Sequence, residues 1–116
     1  MFSKLRTGDV IMLPFFPHIE DRQKGEARCV IVLEKFDDGC SIVPLTCQNH
    51  QNIHYVKHLI ITQDSEEGKQ MGLICDSLII VDREIIFPKV VLSKIIEKCG
   101  ECPDDILDQI HELMSG

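Results

Sequence analysis

Two residues with complementary chemistry stand at the ends of two apolar runs. Arg28 heads Cys29-Val30-Ile31-Val32-Leu33, and Thr46 closes Ser41-Ile42-Val43-Pro44-Leu45-Thr46-Cys47-Gln48. Between the runs, Asp37-Asp38-Gly39 supplies turn chemistry, with Gly39 able to take positive φ. If the runs pair as a hairpin, Arg28 and Thr46 emerge at the same end of it. A guanidinium fork beside a hydroxyl, on rigid strand ends, can hold a phosphate group. Blander accounts exist for both residues. Arg28 can be a surface arginine paired with Glu26 or Glu84, which is worth little, and Thr46 an ordinary β-former.

Other chemistry-bearing residues give weaker patterns. His18 follows Pro17 in a polar stretch, and a free histidine changes charge near neutral pH; a solvated loop histidine is the simpler account, with a catalytic role as the alternative. His50, His54 and His58 are spaced four apart, but their surroundings read as β or loop, so the helical face a metal would need is not expected and no metal site is predicted. Cys99-Gly100-Glu101-Cys102 is a CxxC, whereas a zinc site usually needs a second such pair. Cys40 and Cys47 are seven apart and do not supply one. A redox CxxC normally opens a helix after a βαβ strand. Two reduced structural cysteines at a strand-to-helix turn are therefore expected, with a small metal-binding module as the competing idea.

The elements that must position these residues read mostly as short strands. Gly8-Asp9 is a turn signal, and Val10–Leu13 a buried strand ended by Pro14 and Pro17. Residues 17–27 form a polar loop, longer than a tight hairpin requires and of the kind that often binds. Cys29–Leu33 and Cys40–Thr46 are central strands. Gln48–Asn52 is a polar loop, and Tyr55–Thr62 resumes a β-rich pattern. Gln63–Gln70 is charged, contains Gly68 and reads as a loop. Leu73–Val81 is apolar, interrupted by Asp76-Ser77. Ile85–Phe87 follows and Pro88 stops it. Val90–Leu92 is a helical turn or bend, and Ile95-Ile96 a last short strand closed by Gly100. Pro103–Met114 is a helix: Pro103 suits its start, Asp104 and Asp105 complement its positive end, and Ile106, Leu107, Ile110, Leu113 and Met114 share a face. Five to seven short strands and one C-terminal helix define a mostly β fold, a small antiparallel barrel.

Composition bounds the partners. A chain of 116 residues is expected to form one domain over 1–116 with its own core. No apolar run reaches the roughly 20 residues of a membrane-spanning helix. The start, Met1-Phe2-Ser3-Lys4-Leu5-Arg6-Thr7, lacks a signal-peptide core, so a cytoplasmic protein with reduced cysteines is expected. The net charge of −7 argues at first against a nucleic-acid partner. Residues 101–116, however, hold Glu101, Asp104, Asp105, Asp108 and Glu112 and no Lys or Arg. Residues 1–100 carry 14 acids against 12 bases, a net of −2. With no dense basic stripe, any nucleic-acid binding is expected to be local.

The ordered set Gly8-Asp9-Val10, Gln23-Lys24-Gly25-Glu26-Ala27-Arg28, Val30–Leu33, Val43-Pro44-Leu45-Thr46-Cys47-Gln48, Gly72-Leu73, Asp76-Ser77 and a closing helix resembles the MazF/PemK toxin family over nearly the whole chain. The resemblance implies an SH3-like barrel that forms homodimers. It implies a sequence-specific endoribonuclease toxin that cuts single-stranded RNA without metal or other cofactor and is restrained by a cognate antitoxin. It also implies that Arg28 and Thr46 are catalytic and sets Asp82 at an acidic position that some members use in the active site. The general base is left open between Asp82 and His18, and Arg22, Lys24 and Gln48 are the candidate RNA contacts. The chain departs from the family pattern at Cys29, where Pro is usual, and in Arg22-Gln23-Lys24-Gly25, where Glu-Gln usually precedes Gly. It has one extra residue between Gly25 and Arg28. Asp82-Arg83-Glu84-Ile85 stands where many members have an acidic-Gln-x-Arg run. A non-catalytic binder on the same barrel, similar to the gyrase inhibitors, is the alternative.

Overall fold

The computed structural model describes residues 4–17, 25–47, 57–92 and 97–115. Strands β1 (Asp9–Pro17), β2 (Gly25–Lys35) and β3 (Gly39–Cys47) come first. They are followed by β4 (His58–Ile61), helix α1 (Glu66–Met71), β5 (Ser77–Ile80), a 3₁₀ turn at Val81–Arg83, β6 (Ile85–Pro88), the single helical turn α2 (Lys89–Leu92), β7 (Glu97–Glu101) and helix α3 (Asp104–Ser115). All strand pairs are antiparallel, in the order β4-β5-β3-β2-β1-β7, with β6 pairing the first half of β3.

The apolar runs in β2 and β3 are continuous rather than alternating because both faces of the sheet are covered. Val30, Ile31, Val32, Ile42 and Val43 are all fully buried. On one face Val10, Ile31, Leu33, Val43, Leu45 and Ile79 pack against Ile106, Leu107 and Ile110 of α3. On the other, Ile11, Leu13, Val30, Val32 and Ile42 pack with Leu5, Phe87 and Leu92. The α3 face follows the helical spacing in the sequence, and the amides of Ile106 and Leu107 both donate to the Pro103 carbonyl.

The strands bend the sheet toward a barrel without closing it. Among the described residues, the end strands β4 and β7 do not pair with each other. Helix α1 packs against β7 instead, its C-terminal turn and β7 meeting backbone to backbone. A Cβ at Gly72 would strike the Cys99 carbonyl, and one at Gly100 would strike the Gln70 carbonyl. Gly72 also caps α1 with φ 73°, the left-handed conformation glycine adopts without strain.

Four elements differ from the sequence expectation. β2 begins at Gly25, inside the expected 17–27 loop. Gln63–Gln70 is not all loop: Ser65 caps α1, its hydroxyl accepting from the Gly68 amide at 3.0 Å. The regular strand in Leu73–Val81 is confined to Ser77–Ile80. The last strand is Glu97–Glu101, a polar segment paired with β1 through its backbone; Ile95 and Ile96 lie outside the described residues.

Candidate active site

Arg28 and Thr46 are brought together by strand register. Val30 opposes Pro44, Ile31 opposes Val43 and Val32 opposes Ile42. Continued two residues past Val30, the same register sets Arg28 opposite Thr46. Side chains alternate along a strand, so Arg28 shares the face of Val30 and Val32, and Thr46 the face of Ile42. Leu13, the β1 partner of Arg28, belongs to that face too. The β2–β3 hairpin thus runs toward Arg28 on one strand and Thr46 on the other, and alternation assigns both to one sheet face.

The guanidinium is positioned by main chain. Arg28 Nη1 donates to the Leu45 carbonyl at 3.3 Å, which ties the guanidinium to the main chain of β3 one residue before Thr46. This anchor had no signal in the sequence, because any residue at 45 offers the same carbonyl. Arg28 is half-buried and Thr46 is buried. Just beyond Leu13 and Arg28 the β1–β2 register shifts, and Pro14, which has no amide to donate, lies in the irregular stretch.

Asp82 lies elsewhere within one chain. β5 sets Leu78 opposite Thr46, and Asp82 follows four residues later, in the 3₁₀ turn beyond the paired strand. That is roughly 10 Å further along the sheet, toward the opposite end of β3. There its Oδ2 accepts the Lys57 amide at 2.7 Å, at the entry to β4. His18, Arg22, Lys24 and Gln48 lie outside the described residues, as do His50 and His54. Among the described residues no group of three or more metal-ligating side chains forms.

The cysteines depart from a simple reduced CxxC. Cys102 is buried and its thiol approaches the Pro103 carbonyl at 3.7 Å. Burial, then the charges of Asp105 and Asp104, push it up to about 12. Cys99 contacts Cys29 of β2, Sγ to Sγ 3.3 Å. Cys29 is likewise pushed up to about 12, first by burial, then by its hydrogen bond with Cys99 and the charges of Cys99 and Glu97. Cys75 is disulfide-bonded, against the expectation that all six cysteines are reduced.

An arginine fork beside a buried hydroxyl, on the rigid ends of the two central strands, can hold a phosphate and stabilise added negative charge on it. The chain is a member of the PemK-like, MazF-like toxin family of type II toxin–antitoxin systems, whose family model matches residues 6–115. No curated protein matches it. A toxin of this type implies an antitoxin partner. Among the described residues, no helix is long and apolar enough to cross a membrane.

Proposed function

We propose that the protein is a metal-independent, sequence-specific endoribonuclease that cuts single-stranded RNA in the cytoplasm, acts as a homodimer and is neutralised by its cognate antitoxin. Cleavage without a metal requires deprotonation of the 2′-hydroxyl, stabilisation of the phosphorane and protonation of the leaving 5′-oxygen. Arg28 stabilises the phosphorane; its guanidinium stays charged and cannot serve as the base. Thr46 orients a phosphate oxygen by hydrogen bonding. Asp82 or His18 serves as the base, and Arg22, Lys24 and Gln48 contact the RNA. The observation that carries the reading is the Arg28 fork, bonded to Leu45 at 3.3 Å beside Thr46, in a chain of this toxin family.

The test is incubation of the purified protein with a long single-stranded RNA in EDTA. Wild type is expected to give discrete fragments, and Thr46→Val, which keeps the shape and removes the hydroxyl, far fewer. Intact RNA with wild type, or equal cutting by Thr46→Val, refutes the assignment. Gyrase-dependent DNA damage on expression, with RNA intact, would mark the non-catalytic binder instead. A monomeric sedimentation profile at micromolar concentration would refute the homodimer.

A further inference from the structure

We propose that Cys29 and Cys99 are a thiol–disulfide pair, closed by a low-molecular-weight disulfide such as oxidised glutathione, and that closing it draws Arg28 away from Leu45; this second part rests on the reading of Arg28 above. The two sulfurs come from residues 70 apart in the chain and sit 3.3 Å from each other. A disulfide bond is about 2.05 Å long, so closure needs a movement of about 1.2 Å. Both residues are half-buried, which leaves the pair within reach of a small oxidant.

The contact is built by the fold. β1 separates β2 from β7, and side chains two strands apart do not normally touch. On β7, Gly100 opposes Val10 and Lys98 opposes Ile11. Cys99 is thus the extra residue of a β-bulge, a device that re-aims a side chain. Its carbonyl is pinned on the other side by the close approach of Gly72 at the end of α1. Both cysteines pack on the α3 face of the sheet. Arg28, one residue before Cys29, belongs to the opposite face, so the sulfur pair lies behind the candidate active site and on the same strand. The Arg28–Leu45 hydrogen bond, at 3.3 Å, is already past the usual N–H···O range and has little slack.

The exchange balances without a metal. Cys99 Sγ, as thiolate, attacks one sulfur of glutathione disulfide and expels a glutathione thiolate, which takes up a proton. Cys29 Sγ then gives up its proton, attacks Cys99 Sγ and expels the second glutathione. Two protein thiols lose two electrons, and one glutathione disulfide becomes two glutathione thiols. Cys29, whose thiol is pushed up to about 12, is a poor first nucleophile; it enters second, where the attack on the mixed disulfide is intramolecular.

The experiment equilibrates the intact protein in reduced and oxidised glutathione buffers, blocks free thiols and maps tryptic peptides without reduction. Trypsin cuts after Arg28, Lys35 and Lys98, freeing residues 29–35 and 99–116. A linked 29–35/99–116 species is expected in oxidised buffer and is lost on adding reductant. Cys99→Ser and Cys29→Ser should each abolish it, and Cys102→Ser should keep it. Unlinked peptides in fully oxidised buffer, or a link that survives in Cys99→Ser, overturn the pairing. RNA cleavage by the same samples is expected to fall by about 10-fold or more on oxidation, since a misplacement of about 1 Å can cost up to roughly 10²-fold. Reductant should restore it, and Cys99→Ser should not respond. Undiminished cleavage by the linked protein overturns the coupling to Arg28. Absence of cleavage by the reduced protein overturns the endoribonuclease reading and the coupling with it, while the peptide map independently decides the pairing.

Discussion

Replacing Arg28 separates a catalytic role from a structural one, because the structure sets very different magnitudes for the two. The side chain is half-buried, and its Nη1 hydrogen bond to the Leu45 carbonyl is 3.3 Å long. A bond of this kind contributes about 1 kcal/mol to stability. Loss of this bond alone is therefore expected to lower the melting temperature by about 4 °C. Against the roughly 5–15 kcal/mol of a typical domain, such a loss leaves almost every molecule folded. Removing a donor that stabilises transition-state charge costs far more, about 3 kcal/mol, or on the order of 10²- to 10³-fold in rate. Arg28→Lys keeps the charge but loses the planar fork that spans Leu45 and a phosphate, and should fall between Ala and wild type in rate. The assays are RNA cleavage in EDTA, by gel, and thermal unfolding by circular dichroism on the same preparations. The reasoning fails if cleavage declines only in step with the melting temperature, or if the lysine enzyme cuts as fast as wild type.

Three further outcomes test the fold around the site. Ile110→Ala, at a fully buried position of the α3 face, should cost about 2–5 kcal/mol, read as a lower urea midpoint. Gly72→Ala places a Cβ against the Cys99 carbonyl at a residue with φ 73°, and should cost more than about 1 kcal/mol in the same measurement. Stability should fall as pH rises from about 9 toward 12. Cys29 and Cys102 are both pushed up to about 12 in the folded protein, against 9.0 in an ordinary thiol; the folded chain holds protons that the unfolded chain has released, so ionisation favours unfolding in that window. Urea unfolding at pH values on either side of 9 checks this, and Cys102→Ala should flatten the slope.

The candidate site was partly legible in the sequence because strand pairing is regular. Two apolar runs around a short turn suffice to bring Arg28 and Thr46 to one end, and the observed register does so. The α3 helix was legible from its apolar spacing and its proline start. What escaped the sequence depended on weak local signals or distant partners. Helix α1 has only six residues, with Gly68 inside it, and it persists because Ser65 and Gly72 cap it. Strand β7, Glu97–Glu101, lacks apolar alternation because it lies at the sheet edge. The sulfur contact needs a bulge at Cys99, which only the β1 pairing reveals. The bond from the Lys57 amide to Asp82 joins residues 25 apart and likewise had no signal in the sequence.

The alternation of side chains along β2 also bears on how a chain of net charge −7 can hold an RNA phosphate. Cys29 and Ile31 face α3, and Arg28, Val30 and Val32 face away from it. The acids Asp104, Asp105, Asp108 and Glu112 all ride on α3, and Glu101 just precedes it. They are therefore separated from Arg28 and Thr46 by the thickness of the sheet, with packing layers about 10 Å apart. That is about one Debye length at physiological salt, so exposed acids on α3 are strongly screened at the Arg28 face. The total charge consequently misstates the local field at the site, where residues 1–100 contribute a net of only −2. A one-residue slip of β2 would exchange the faces, setting Arg28 under the acidic helix and Cys29 beside Thr46. The register that places the arginine fork beside the hydroxyl is thus the same one that keeps it clear of the acidic helix.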